Sequence, residues 1–440
     1  MKILSFVICL LLFANALLAQ TKAEDVETFT LKNGMKMIVL EDHSIPNANM
    51  YLFWEVGSRN EYPGITGLSH FFEHMMFNGA KKYGPKIFDR VMEANGGSNN
   101  AYTSENVTVY TNWFPSNSME IIFDLEADRI GHLAIDEKMV ESERGVILSE
   151  RTTSLENSNL ENLDEQVKSV AFHAHPYSWS VIGYESDIRN WTVEDLQNYF
   201  DTYYAPNNAV VVLVGDITPK EVKRLAQKYF EPIPQNEPPR PVHVVEPEQR
   251  GEKRLIVHKE VSSPNILIAY HTPETSSDEY YAMDMLSSIL SEGNSSRLYR
   301  ALVDDKQLAV NVFTYYPMAF DPFLLYIYSV AAGGVNEADL ETAIYEELEK
   351  IISEGVTEEE LQKVKNLKLS AFYHSMETIN GKANTIGTYQ LFFGDYKKLF
   401  SAPEDYRKVT AMDIQNVAAK YLKESNRTVG ILKSSEESGS

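Results

Sequence analysis

Apolar residues fall on alternate positions at Phe29 and Leu31 and again at Met35, Met37 and Val39, with Asn33-Gly34 between the two runs. A period of two on either side of Asn-Gly predicts a β-hairpin over Thr28–Leu40, because that dipeptide takes the positive φ angles a tight turn demands. A second hairpin-like strand region is expected in "NMYLFWEVGSRNE", followed by the turn-rich "YPGITG". From Leu68 the period changes to about 3.6, and Leu68, Phe71, Phe72, Met75 and Met76 share one face of a helix expected to run to Gly79. Alternation and β-branched content return in "NAYTSENVTVYTNWF", which reads as a strand. Long amphipathic helices are expected over about 116–170, one of them opened by Asp136 as its N-cap. The unbroken apolar run in "NNAVVVLVGDI" reads as a buried strand.

The stretch 231–250 holds six of the eighteen prolines and reads as a semi-rigid linker. A chain of 440 residues is too long for one core, and the linker divides it into halves of similar size. The halves resemble each other. Thr192, Asp195, Gln197, Asn198, Tyr203 and Asn208 recur as Thr410, Asp413, Gln415, Asn416, Tyr421 and Asn426 at a constant offset, 413 − 195 = 218. Identities in register without a gap point to a duplicated unit. The expected fold class is therefore α+β, with two homologous units, each a mixed or antiparallel sheet packed with helices. The expected bounds are 24–232 for the first domain, 233–250 for the linker and 251–436 for the second domain.

Composition narrows the chemistry. Residues 1–20 place Lys2 before an apolar run that closes on Ala14, Ala16 and Ala19, the pattern of a secretory signal peptide cut after Ala19. The only cysteine, Cys9, lies in that segment, so a mature chain offers no thiol for a disulfide, a nucleophile or a metal. Any metal must be held by His, Asp and Glu. A net charge of −23 with no run of Lys or Arg argues against nucleic acid and against anionic membrane surfaces. No later segment is long and apolar enough to span a bilayer, so no stable membrane anchor is expected. Export to the periplasm, or secretion beyond it, is the expected localisation.

Opposite the apolar stripe of the Leu68 helix lie His70, Glu73, His74 and Phe77. Packing of the stripe does not call for two histidines and a glutamate on the other side. At i and i+4 the two imidazoles stand one turn apart, where they can share one ion, and Glu73 points to the same place. A catalytic zinc needs one further protein ligand, which without thiols is a carboxylate. In "DEKMVESERGVILSERTTSL" Glu143 and Glu150 are seven residues apart on one helical face, and both are candidates; the plain alternative is a solvated glutamate face. The offset of 218 sets Ser288, Ser291 and Glu292 opposite His70, Glu73 and His74, so only the first unit carries the polar cluster. His173 and His175 alternate along "AFHAHPY" and read as structural histidines.

H-x-x-E-H is the inverted zincin motif. With "HFFEHMMFNG", "GGSNNAYTSENVTVY", "AFHAHPYSWSVIGYESDI", "YYAPNNAVVVLVGD" and "LSEGNSSRLYRAL", the chain resembles the pitrilysin-type metallopeptidases over nearly its whole mature length, especially the smaller members akin to mitochondrial processing peptidase. The resemblance implies one Zn2+ per chain held by His70, His74 and Glu150, the last selected by the spacing 150 − 74 = 76. It implies Glu73 as general base, Glu143 as the carboxylate that orients a ligand histidine, and Asn99, Asn100, Ala101 and Tyr102 as a substrate-pairing edge strand. It also implies peptide substrates and a two-unit chain that forms half of a clamshell chamber. The family's oxyanion-binding arginine and tyrosine align here with Val303 and Val310, which donate nothing; a shifted register brings in Arg297, Arg300 or Tyr315. A second, zinc-less two-unit homologue is therefore expected as partner, a heterodimer ahead of a homodimer. The rival readings are a structural core subunit without activity and a periplasmic zinc-binding protein.

Overall fold

The computed structural model describes residues 21–435; the expected signal peptide and Cys9 lie outside the described residues. Strand β1 (Val26–Thr30) pairs antiparallel with β2 (Lys36–Glu41), forming the hairpin expected around Asn33-Gly34, and the buried Asn33 amide donates to the carbonyls of Phe230 and Ile233. Strand β3 (Asn47–Trp54) belongs to no local hairpin. It lies antiparallel between β5 (Thr108–Pro115) and β6 (Ala209–Gly215). The segment read as one strand is two, β4 (Ser98–Thr103) and β5, folded back at a turn where the Ser104 hydroxyl accepts from the N–H groups of Asn106 and Val107. The same β-type composition continues through that turn, so periodicity alone does not mark it.

The first sheet has the order β1-β2-β6-β3-β5-β4, with β2 and β6 parallel. The second sheet comprises β7 (Lys253–His258), β8 (Asn265–Thr272), β9 (Ala309–Tyr315), β10 (Phe323–Ala331) and β11 (Arg427–Lys433) in the order β7-β11-β8-β10-β9, with β7 and β11 parallel. It repeats the topology β2-β6-β3-β5-β4. The helices of the first half are α1 (Leu68–Met75), α2 (Ile87–Ala94), α3 (Met119–His132), α4 (Glu137–Asn157), α5 (Asn159–Ala171), α6 (Glu185–Asn190), α7 (Val193–Tyr203) and α8 (Pro219–Tyr229). Those of the second are α9 (Tyr280–Ser291), α10 (Glu337–Glu354), α11 (Glu358–Ser375), α12 (Ile379–Phe392), α13 (Lys398–Lys408) and α14 (Ala411–Tyr421). An offset of 218 carries β3 onto β8, β6 onto β11 and α7 onto α14 residue for residue. Among the described residues no helix is long and apolar enough to cross a membrane.

The two halves exchange equivalent helices. On one face of the first sheet Met50, Leu52, Val211 and Leu213 pack with Phe71 and Phe72 of α1. On the other, Phe53, Val210, Val212 and Val214 pack against Ile379, Ala383 and Ile386 of α12, which belongs to the second half. Reciprocally, Leu163, Val167 and Ala171 of α5 cover Leu267, Ala269 and Leu432 of the second sheet. Both faces of β6 are thus buried, which explains why its sequence is apolar throughout rather than alternating. Contact is close enough to require glycine where α12 crosses β3. A Cβ on Gly387 would stand 2.0 Å from the Phe53 ring. Gly387→Val is expected to destabilise the fold by about 3 kcal/mol, at the upper end for overpacking, read as a lower midpoint in thermal unfolding. Gly251→Ala, where nothing lies within 4 Å, is the control that leaves the midpoint unchanged.

Residues around the linker also tie the halves together. Residues 236–250 form no regular element, but Glu246 accepts from the N–H groups of His173, Ala174 and His175 at 2.6–2.9 Å. The ammonium of Lys253 donates to the carbonyls of Val170 and Ala171 at the end of α5. That of Lys259 donates to those of Leu155 and Glu156 at the end of α4. Cations at helix C-termini satisfy orphan carbonyls and complement the helix dipole. The second half thereby holds in place the helix on which Glu143 and Glu150 stand.

Candidate metal centre

Helix α1 is preceded at its N-cap by Gly67, whose φ of 89° and whose approach to the Ile182 carbonyl (a Cβ would lie 2.4 Å from that oxygen) leave no room for a capping side chain. The cap comes from further back. Both oxygens of the buried Glu61 accept main-chain N–H groups, from Gly67 at 2.7 Å and Ser69 at 2.8 Å. A carboxylate here also complements the positive end of the helix dipole. Burial nevertheless pushes the Glu61 carboxyl up to about 8, against the pull of those two donors. Glu61 was not apparent as a cap from the sequence; the one signal is a helix start whose own N-cap residue has no side chain.

The stripe of Leu68, Phe71, Phe72 and Met75 is fully buried, and the Tyr110 hydroxyl donates to the Phe72 carbonyl. The helix is shorter than its periodicity suggested. It ends at Met75 rather than Gly79, because Phe77 turns inward to pack on Phe88 and Tyr110, and the Asn78 amide is drawn to Glu143 at 2.7 Å. A local 3.6-residue pattern cannot anticipate either contact.

His70, Glu73 and His74 lie on the opposite face, each half-buried. The imidazole centroids are 4.9 Å apart. Glu150 of α4 reaches over both rings, its oxygens 3.6 Å from His70 Nε2 and 3.5 Å from His74 Nε2. One ligand atom from each of the three residues lies within 4.8 Å of the others. Two donors bound tetrahedrally at about 2.0–2.1 Å stand about 3.3 Å apart, so this donor set fits a small divalent ion with little movement. Glu143 occupies a different place from Glu150. It meets His74 Nδ1 at 2.8 Å on the far side of the ring and so leaves Nε2 facing Glu150. A carboxylate behind a ring nitrogen fixes the tautomer and ring orientation that a metal ligand needs. The hydrogen bond from His74, aided by that from Asn78, holds the Glu143 carboxyl below the usual carboxylate range.

Burial, helped by the neighbouring His74, lowers His70 to about 4, so its ring is neutral with a lone pair to give. Burial also pulls His74 down, but the Glu143 hydrogen bond and the surrounding carboxylates outweigh it and leave the ring above its ordinary value. Burial raises Glu73, opposed by a hydrogen bond from the Thr103 hydroxyl at 2.6 Å. Strand β4, which carries Asn99, Asn100, Ala101 and Tyr102, is the outermost strand of its sheet. One edge pairs with β5; among the described residues the other pairs with no strand. A cavity of about 410 Å3 adjoins the centre, lined by His70, Glu73, Tyr102, Thr103, Glu150 and Lys168 among others.

Among the described residues the duplicated unit has no counterpart. Ser288 and Ser291 of α9 stand at the positions of His70 and Glu73, Glu292 at that of His74, and Lys368 of α11 at that of Glu150 (150 + 218 = 368). Ser291 and Lys368 are engaged elsewhere, with Thr314 and Asp284. His175 is buried against Tyr177 and Asp321, and His173 donates its main-chain N–H to Glu246.

Residues 36–184 match the family model described as insulinase (peptidase family M16), and residues 190–368 match the peptidase M16 inactive domain. Over 425 residues the chain is 31% identical to zinc protease PqqE of Helicobacter pylori, spanning 94% of each sequence. The chain belongs to peptidase family M16. Its fold superposes on a crystal structure of a protease from Helicobacter pylori with a TM-score of 0.89 at 30% identity, covering 93% of this chain and 99% of that one. The periplasmic protease PqqL from Escherichia coli gives a TM-score of 0.77 at 20% identity over 95% of this chain but only 48% of PqqL, so in fold this M16 chain corresponds to one half of that protein.

Among the described residues of this M16 chain, those lining the cavity beside the centre all belong to the first half. Val303 packs against the second core, and Val310 is exposed on β9. Arg297 is bound to Glu360 and the Gly355 carbonyl, Arg300 lies near Asp305, and Tyr315 is exposed on β9.

Proposed function

We propose that this chain is a zinc-dependent endopeptidase that hydrolyses peptides or unfolded segments. The observation that carries the reading is the convergence of two imidazole Nε2 atoms on the Glu150 carboxylate, 3.5–3.6 Å away, with Glu73 on the same face of α1. The naming of its relatives as zinc proteases supports it. His70, His74 and Glu150 would hold the ion. When bound, zinc polarises the scissile carbonyl and acidifies water. Glu73 accepts the proton of the attacking water and delivers it to the leaving amine. Glu143 keeps His74 in the ligating tautomer. A substrate in extended form adds to the free edge of β4 at Asn99, Asn100, Ala101 and Tyr102, where main-chain hydrogen bonds give affinity with little sequence preference.

Among the described residues no oxyanion donor from the second half lines the cavity at the centre, and in fold the chain corresponds to half of PqqL. Both support a second two-unit chain, a different homologue rather than a second copy, that closes a chamber over the site and contributes those donors. Export to the periplasm is part of the proposal and rests on residues 1–20.

Elemental analysis of the purified chain is expected to find about one zinc per chain. Cleavage of an unstructured peptide by the native assembly is expected to stop on chelation and return when zinc is restored. Full cleavage by metal-free protein would remove the reading; zinc without any cleavage would favour a binding protein, and neither zinc nor cleavage a structural subunit.

A further inference from the structure

Glu73 stands beside Glu150, a carboxylate of like charge, and its side chain has three rotatable bonds. Left to itself such a group samples several rotamers. Here one contact singles out a conformer: the Thr103 hydroxyl donates to one carboxylate oxygen, Oε2, at 2.6 Å. Thr103 is itself well placed to be a fixed point. It is the last residue of β4 and pairs with Thr108 of β5. Thr108 is fully buried, and its hydroxyl donates to the Val56 carbonyl. The β-branched side chain restricts rotation about χ1. The donor is therefore carried by the sheet and not by a mobile loop.

The same strand has its other edge free. On the reading proposed above, that edge receives the substrate's main chain, so this inference rests on that reading. We infer that Thr103 is a positioning residue: its hydroxyl fixes one oxygen of Glu73 and leaves the other free to take a proton, and because Thr103 ends β4, the docked peptide and the proton acceptor are held by one element. A peptide seated in register on β4 then meets a base already placed with respect to it, which is the geometric condition for efficient proton transfer.

Thr103→Val removes the donor while preserving shape and β-branching, and Thr103→Ser keeps the donor while losing the methyl group. In zinc-loaded crystals of Thr103→Val the Glu73 carboxylate is expected to leave its single conformer. In peptide cleavage kcat is expected to fall about tenfold, with KM within about twofold and zinc content unchanged. Thr103→Ser is expected to restore both the conformer and kcat to within about twofold. Thr103→Ala, read the same way, serves if the valine variant does not fold. Glu73 unmoved in the valine variant, or a wild-type kcat in that variant, overturns the inference. If the wild-type chain with its partners cleaves no peptide, the proposed function fails by itself, and the crystals still decide whether Thr103 positions Glu73.

Discussion

On the proposed function, Glu73→Gln is expected to leave zinc bound and to lower peptide cleavage by about 10²–10⁴-fold, the range in which a positioned general base contributes. The proposed ligands His70, His74 and Glu150 are untouched by the change, so metal content is expected to hold at one ion per chain. Glutamine has nearly the same volume as glutamate, and its amide oxygen can still accept from Thr103, so the fold and the placement of the side chain survive. What is lost is the ability, proposed for Glu73, to carry a proton from water to the leaving amine. Elemental analysis together with kcat on a defined peptide checks the two halves of the expectation separately. A glutamine variant that turned over at the wild-type rate would show that another group carries the proton; one that lost its zinc would show Glu73 to be part of the binding set.

Glu150→Ala is expected to have the second large effect, and on the proposed ligand set it falls on the metal. Two imidazoles from one helix turn remain, but the only ligand from a second element and the only negative charge in the set are gone. Zinc is expected to be lost on dialysis, and with it all cleavage. The Glu150 side chain is 45% exposed, so its removal does little to packing; surface substitutions of that kind stay within about 0.5 kcal/mol. A ligand that binds only the folded state raises the unfolding midpoint in proportion to its affinity. Added zinc should therefore stabilise the wild-type chain and leave the alanine variant where it was. An alanine variant that retains a full complement of zinc through dialysis would mean that α4 does not complete the site.

Much of the fold was readable because it is written locally. The Asn33-Gly34 hairpin, the helices between 116 and 170 and the buried strand Ala209–Gly215 follow from turn chemistry and period. The constant offset of 218 disclosed a duplication that the two sheets repeat strand for strand. The misreadings share a cause. Residues 100–114 looked like one strand because composition does not change across the turn at Ser104, and the helix from Leu68 stopped early because Phe77 and Asn78 answer to Phe88, Tyr110 and Glu143, all distant in sequence. The exchange of α5 and α12 between the sheets left no local trace at all.

At the centre the division is sharper. His70, Glu73 and His74 share a face because helix geometry places i, i+3 and i+4 together, and that much the amino-acid order determined alone. Glu143 and Glu150 are indistinguishable by the same rule, being two turns apart on one helix. The family resemblance implied their separate roles, and the physical difference lies in the crossing of α4 over α1, which puts Glu143 behind His74 Nδ1 and Glu150 before both Nε2 atoms. The Glu61 cap and the Thr103 hydroxyl were likewise invisible, since each meets its target through a loop or a sheet edge. Short-range periodicity sets which side chains share a face; which faces meet depends on the packing of the whole core.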